Sequence, residues 1–148
     1  MLSKLVSRKD DAEAYVQSYL FHELAHARWT TRAMLELSEW CNKNEIPFML
    51  LNLFEDARIE SRWREDTGRK FDWLAFEEPP AINDELSAFF HMIQAEGPLT
   101  GQKGKLYTAA RKFYRRICKA DNTEALKPML KEWVKKYPVD IKKIKALM

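Results

Sequence analysis

Apolar positions recur at helical spacing over nearly the whole chain. From Asp10 to about Asn44 neither proline nor glycine interrupts, and Tyr15, Tyr19, Leu20, Leu24 and Ala27 form one series that Met34, Leu35 and Leu37 continue. This predicts one long helix, or two broken near Trp29-Thr30-Thr31, where β-branched residues gather. Lys43 to Ile46 reads as a turn, and Pro47 suits the first position of a second helix running from about Phe48 to Glu65, stopping before Asp66-Thr67-Gly68. Residues 69–81, aromatic and closed by Pro79-Pro80, are the least helical stretch and predict a covering loop or a short strand near 70–76. Asn83-Asp84-Glu85 signals a helix through about Ala95, ended by Gly97-Pro98. Gly101 to Gly104 reads as a flexible joint before helices at about 105–119 and 122–136 and a short one after Pro138. The fold class expected is all-α: a multi-helix domain in which the first helix packs against the second.

The bulk numbers agree. A chain of 148 residues, 46% hydrophobic and 32% charged, is the size of one globular domain, and four glycines are few for a turn-rich β fold. No apolar run is long enough to span a bilayer, the N-terminus lacks the apolar core of a signal peptide, and Cys41 and Cys118 make no disulfide framework. Cytoplasmic localisation, with no membrane partner and both cysteines as small buried thiols, is the expectation. The net charge of +3 is unevenly spread. Residues 1–102 carry 11 Lys/Arg against 18 Asp/Glu, a balance of −7; residues 103–148 carry 14 against 4, a balance of +10. An acidic region 1–102 is thus followed by a basic helical extension, 103–148, expected in the same globular unit. Within it, Arg111, Lys112, Arg115, Arg116 and Lys119 interleave with Tyr107, Phe113 and Tyr114, a pattern that suits either a phosphate backbone or an ordinary amphipathic surface helix.

Recognisable chemistry sits in His22-Glu23-Leu24-Ala25-His26, an HExxH pentapeptide holding two of the three histidines of the chain. Residues four apart share a helix face, so His22 and His26 can present both imidazoles to one metal ion, with Glu23 beside it to handle a water's proton. A catalytic zinc site needs a third protein ligand. The second helix is apolar nearly all round, yet Asn52, Glu55 and Asp56 are set into it, and acids buried there require compensation. Glu55 is assigned as the third ligand, with Asp56 outside it accepting a free ring N–H and Asn52 nearby; the reverse assignment, Asp56 on the metal, stays open. Arg58 and Glu60 read as structural. A purely structural charged network of Glu55, Asp56, Arg58 and Glu60 also fits. His91, in an apolar helical segment, reads as a core histidine or an oxyanion-binding group, and Tyr19 as core or site lining.

The string HELAHARWT followed by LLNLFEDARIE resembles a group of proteins from bacteria and their phages regarded as metallopeptidases. These are similar to the gluzincin class of zincins, which use HExxH plus a downstream glutamate. In larger members this region is joined to a von Willebrand A domain like that of cobaltochelatase subunits, and the genes often accompany a MoxR-type AAA+ ATPase. The resemblance covers about residues 18–66. It implies Zn2+ held by His22, His26 and Glu55, Glu23 as general base, a peptide or protein substrate, and an AAA+ or von Willebrand A partner. The sequence departs from the zincin pattern in one respect. Zincins place a β-strand edge before the HExxH helix, whereas the 21 residues preceding His22 look helical. Zinc-dependent peptide hydrolysis is therefore expected, with a non-catalytic zincin-scaffold binding protein, gripping a protein or nucleic acid through its basic helices, as the alternative.

Overall fold

A computed structural model of the chain describes residues 9–138 and 143–144. In order, its helices are α1 (Lys9–Trp29), α2 (Met34–Lys43), α3 (Phe48–Thr67), α4 (Trp73–Phe76), α5 (Glu85–Ala95), α6 (Gly101–Leu106), α7 (Thr108–Cys118), a 3-10 turn (Thr123–Ala125) and α8 (Leu126–Lys136). The fold is all-α, and no strand occurs among the described residues. The helix expected after Pro138 and the extreme N-terminus lie largely outside those residues.

The helix with apolar residues all round, α3, is the centre. Its Leu50, Leu51, Leu53, Phe54, Ala57 and Ile59 are all buried, and α1, α2, α5, α7 and α8 pack around it. One apolar cluster runs from Leu37 to Ile144, so the basic C-terminal helices share a core with the acidic N-terminal ones. Phe54, Phe89 and Trp133 meet in tilted and edge-to-face pairs at centroid distances of 5.1–5.7 Å, and Phe113 meets Trp133 edge-on at 5.0 Å. Each such pair contributes about 0.5–1.5 kcal/mol beyond its buried area, which fixes α3, α5, α7 and α8 on one another.

Element boundaries follow local chemistry. Asp84 caps α5 by accepting from Ser87 N (2.8 Å), and the Ser87 hydroxyl returns to the Asp84 backbone. Gly68, with φ of 69°, ends α3 in the left-handed conformation, its N–H donating to Arg64 O. Between α1 and α2 the chain breaks after Trp29, and Thr31 N donates to Thr123 Oγ1 (3.0 Å) on the far 3-10 turn.

Three expectations change. Residues 69–81 hold no strand: the Glu96 carboxylate takes Phe71 N (2.6 Å) and Asp72 N (3.2 Å), and the segment contains only the single turn α4. Gly101 to Gly104 is not a joint but the start of α6, where a Cβ on Gly104 would lie 2.6 Å from Leu99 O. The helix expected over 105–119 is split at Tyr107 into α6 and α7. On α1 the apolar series through Leu20 and Leu24 faces outward, 55% and 48% exposed, while Ser18 and Ala25 are buried. The face carrying the histidines turns inward instead.

Candidate metal centre

The inward face of α1 meets α3 at an i, i+4 pair on each side: His22 and His26 against Asp56 and Glu60. The Nε2 atoms of the two imidazoles lie 3.2 Å apart, and Asp56 Oδ1 is 3.0 Å from His26 Nε2 and 3.3 Å from His22 Nε2. These three atoms form a near-equilateral triangle, and the three residues are a group of His and acid side chains able to hold one ion. A tetrahedral zinc with bonds of about 2.0–2.1 Å to nitrogen or oxygen spaces its ligands about 3.3 Å apart. The donor set therefore fits zinc in both chemistry and spacing.

The other ring nitrogens are also engaged. His22 Nδ1 pairs with Glu60 Oε2 at 3.1 Å, and His26 Nδ1 with Thr30 Oγ1 at 3.0 Å. Glu60 is held in turn by Trp73, whose indole Nε1 donates to Oε1 at 2.7 Å. Such outer contacts fix ring orientation and leave both Nε2 atoms turned toward one point.

Electrostatics point the same way. Burial pulls the His22 imidazole down, but hydrogen bonds and negative charge from Asp56 and Glu60 outweigh it and raise its pKa to about 10. For Asp56, burial pushes the carboxyl up, but its hydrogen bonds to His22 and His26 and their charge bring it below its usual range. Burial pushes Glu60 up, and the charge of Asp56 adds to it against the contacts of His22 and Trp73. A cluster that holds a proton on an inward-facing imidazole despite burial has negative potential to spare, which is what a cation site requires.

The metal-free protein should show this in its pH dependence. A histidine raised on folding stabilises fully below its ordinary pKa of 6.5, and that contribution is lost as pH rises through about 10. Urea unfolding of metal-free protein is expected to show stability falling between pH 7 and 10, with His22→Gln flattening the slope. An unchanged slope would mean that His22 is not held protonated.

Glu55 lies elsewhere. It is fully buried, and its Oε1 accepts from Arg58 Nε at 2.5 Å; Arg58, also fully buried, donates further to Trp29 O and Thr123 Oγ1. The carboxylate beside the histidines is Asp56, and Glu55 is taken by Arg58, so the geometry favours the alternative that the sequence leaves open, with Asp56 rather than Glu55 toward a metal. The physical reason is helical phase: residue 55 sits one 100° step from residue 56, and Arg58, three residues on, takes it. Asn52 and Asp56, four apart, share the face that Glu55 leaves. Glu60, read as structural, belongs to the centre through His22. The signal that finds it is the four-residue step from Asp56, the same step that pairs His22 with His26.

Two cavities open on the centre, and both are lined by His22 and Asp56. An open cleft of 620 Å³ is lined also by Glu23, His26, Ala27, Thr30, Met34 and Asn52. A smaller one of 130 Å³ lies on the side of Glu60 and Trp73, with Tyr19 in its wall. Glu23 is exposed at the cleft, beside the ligands rather than among them.

The remaining candidates lie away from the centre. His91 lines a different cavity with Pro80 and Lys103; burial and then the charge of Lys103 hold its pKa down. Cys41 is buried and Cys118 half-buried, both free thiols. On α7, Phe113 and Tyr114 are buried and Arg116 pairs with Glu132 (2.9 Å), so those two aromatics face the core while Arg115 and Arg116 face solvent. Among the described residues no helix is long and apolar enough to cross a membrane.

No protein-family model, curated protein or solved structure matches this chain.

Proposed function

We propose that the chain is a zinc-dependent hydrolase of peptide bonds, with His22, His26 and Asp56 holding the ion. The observation carrying this reading is the triangle of Nε2, Nε2 and Oδ1 atoms, spaced 3.0–3.3 Å at the wall of an open cleft. A zinc ion there supplies Lewis acidity, polarising a carbonyl and making a water's proton easy to lose. Glu23, at the cleft beside both histidines, is placed to act as the general base and acid, and would accept a water's proton and return it to the departing amine. Glu60 and Thr30 hold the imidazoles in register, and Asn52 offers an amide to a substrate lying in the cleft. The resemblance of HELAHARWT and LLNLFEDARIE to bacterial and phage metallopeptidases agrees with this proposal on His22, His26 and Glu23, and differs from it in placing Glu55 where the proposal has Asp56.

Glu23→Gln separates the parts. The variant is expected to retain about one zinc per chain while cleavage of a peptide library falls at least about a hundredfold, the lower range for a positioned acid–base group. Elemental analysis and cleavage on the same sample check it. Undiminished cleavage would remove Glu23 as base.

A second reading is a binding protein on this scaffold, with metal serving structure. The outward row of α1 favours it: Val16, Leu20 and Leu24, each four residues from the next, are 65%, 55% and 48% exposed. Such a row suits a protein partner, an AAA+ ATPase or von Willebrand A protein among the classes the resemblance implies, more than nucleic acid. Zinc-loaded protein that cleaves no peptide in a broad library supports this reading over hydrolysis.

A further inference from the structure

On the basic C-terminal helices, Lys112, Arg115 and Lys119 of α7 and Lys135 and Lys136 of α8 are exposed, and none forms an ion pair among the described residues. The acids of residues 103–138 are already taken: Asp121 by Arg62, Glu124 by Arg32 and Lys127, and Glu132 by Arg116. The last of these pairs relates the two helices. Arg116 Nη1 and Nη2 donate to Glu132 Oε1 and Oε2 at 3.2 and 2.9 Å, a two-pronged contact that joins the exposed faces of α7 and α8 into one surface. Lys112 and Lys119 stand four before and three after Arg116, and Lys135 and Lys136 three and four after Glu132, so cations flank this bridge on both helices. Arg115, three from Lys112 and four from Lys119, lies on the same side of α7. Hydrogen bonds from Arg116, and then its charge and that of Lys136, hold the Glu132 carboxyl below its usual range.

We propose that this face of α7 and α8 docks duplex nucleic acid, holding the phosphate backbone without reading its sequence. An acidic protein segment would answer the same charge, but protein interfaces are anchored by apolar and aromatic side chains at their centre. The exposed large apolar residues, Val16, Leu20, Leu35 and Leu106 among them, all lie outside α7 and α8. The rings within the two helices, Phe113, Tyr114 and Trp133, are buried, so unpaired bases find no platform to stack on. What the face offers is fixed positive charge, and that favours the partner whose negative charge is densest. From Lys112 to Lys119 the helix rises about 10 Å, the axial length of about three phosphates on one strand of a duplex. The inference goes beyond hydrolysis and does not rest on it, because His22, Glu23, His26 and Asp56 belong to α1 and α3.

The full chain is titrated into a fluorescently labelled DNA duplex of about 20 base pairs, and anisotropy is followed between about 50 and 200 mM salt. With about four to five phosphates neutralised, affinity is expected to fall with a log–log slope of about −4, and so by about 10²–10³-fold over that range. Duplexes of unrelated sequence should bind alike, and a single strand of equal length more weakly. The triple variant Lys112→Gln/Arg115→Gln/Lys119→Gln is expected to weaken binding at least about tenfold at the lower salt and to flatten the slope by about one for each cation removed. A second triple variant, Lys43→Gln/Arg69→Gln/Lys70→Gln, removes the same charge from exposed positions outside α7 and α8 and should keep both affinity and slope. All six side chains are exposed, and unchanged helicity and melting are checked for both variants. Equal losses in the two variants would mean that net charge alone is at work and overturn the proposal, as would binding that survives the first variant. A single strand held as tightly as the duplex, or polyglutamate competing as well as duplex at equal charge, also overturns it, the latter in favour of an acidic protein partner. Absence of peptide cleavage leaves every one of these readouts unchanged, so the failure of either reading is told from that of the other.

Discussion

Asp56→Ala is expected to strip the protein of zinc, from about one ion per chain to background, while Glu55→Gln leaves the metal in place. The two residues are neighbours in sequence and differ by one helical step. Asp56 Oδ1 stands 3.0 and 3.3 Å from the two imidazole nitrogens, whereas Glu55 is committed to Arg58. Even outer partners of zinc ligands are worth about 10–100-fold in affinity, so loss of a direct ligand should exceed that. It also removes the negative charge that offsets the ion. Two histidines and an outlying Glu60 do not replace it. Elemental analysis of both variants, prepared in parallel from zinc-replete medium, decides the matter; metal kept by Asp56→Ala and lost from Glu55→Gln would reverse the assignment.

The second large effect is on stability. Arg58→Ala is expected to destabilise the fold by about 3–5 kcal/mol, the usual consequence of stranding one partner of a buried ion pair. For a chain of this size that is a fall of roughly 10–15 °C in Tm. The estimate applies here because neither side chain is more than 1% exposed and because Arg58 does more than neutralise Glu55. It also donates to Trp29 O and Thr123 Oγ1, joining the end of α1 to α3 and the 3-10 turn. Removing both charges together in Glu55→Leu/Arg58→Met should recover much of the loss, since no unpaired charge then remains. Thermal and urea unfolding measure both variants against the unaltered protein; a double variant as unstable as Arg58→Ala would show that the contacts to α1 and the 3-10 turn, not the stranded charge, dominate.

Much of this architecture is legible in the chain because local signals and global packing agree. The all-round apolar sequence of α3 marks it as a buried helix, and Asn83-Asp84-Glu85 signals the start of α5, which begins at Glu85. The HExxH spacing brings His22 and His26 together without any tertiary knowledge. What escapes is helical phase where several acids crowd one segment. In Glu55-Asp56-Ala57-Arg58-Ile59-Glu60, three carboxylates occupy faces that composition cannot rank; the i, i+3 arginine claims Glu55, and the i, i+4 step joins Asp56 to Glu60. The outward turn of Leu20 and Leu24 escapes for a related reason. Apolar spacing alone favours burying them, but the polar contacts of His22, His26 and Ser18 orient α1 the other way. The segment 69–81 is read as loop or strand because its organisation comes from a distant group, the carboxylate of Glu96.

That segment is tied to the centre by more than packing. Ser18 Oγ donates to Phe71 O at 2.7 Å, Glu96 accepts from the Phe71 and Asp72 amides, and the Trp73 indole reaches Glu60, which holds His22. With an ion on His22, His26 and Asp56 as proposed, ion loading and the order of this segment would be linked reciprocally: whatever steadies the segment would raise affinity for the ion by the factor that the ion lends to its order. On the proposed hydrolase reading, a substrate pressing on Trp73 would tighten the hold on the ion, and release of product would loosen it. Amide hydrogen exchange at Phe71 and Asp72 reads this directly, with slower exchange expected when zinc is added and no change in Trp73→Phe, where the link to Glu60 is cut.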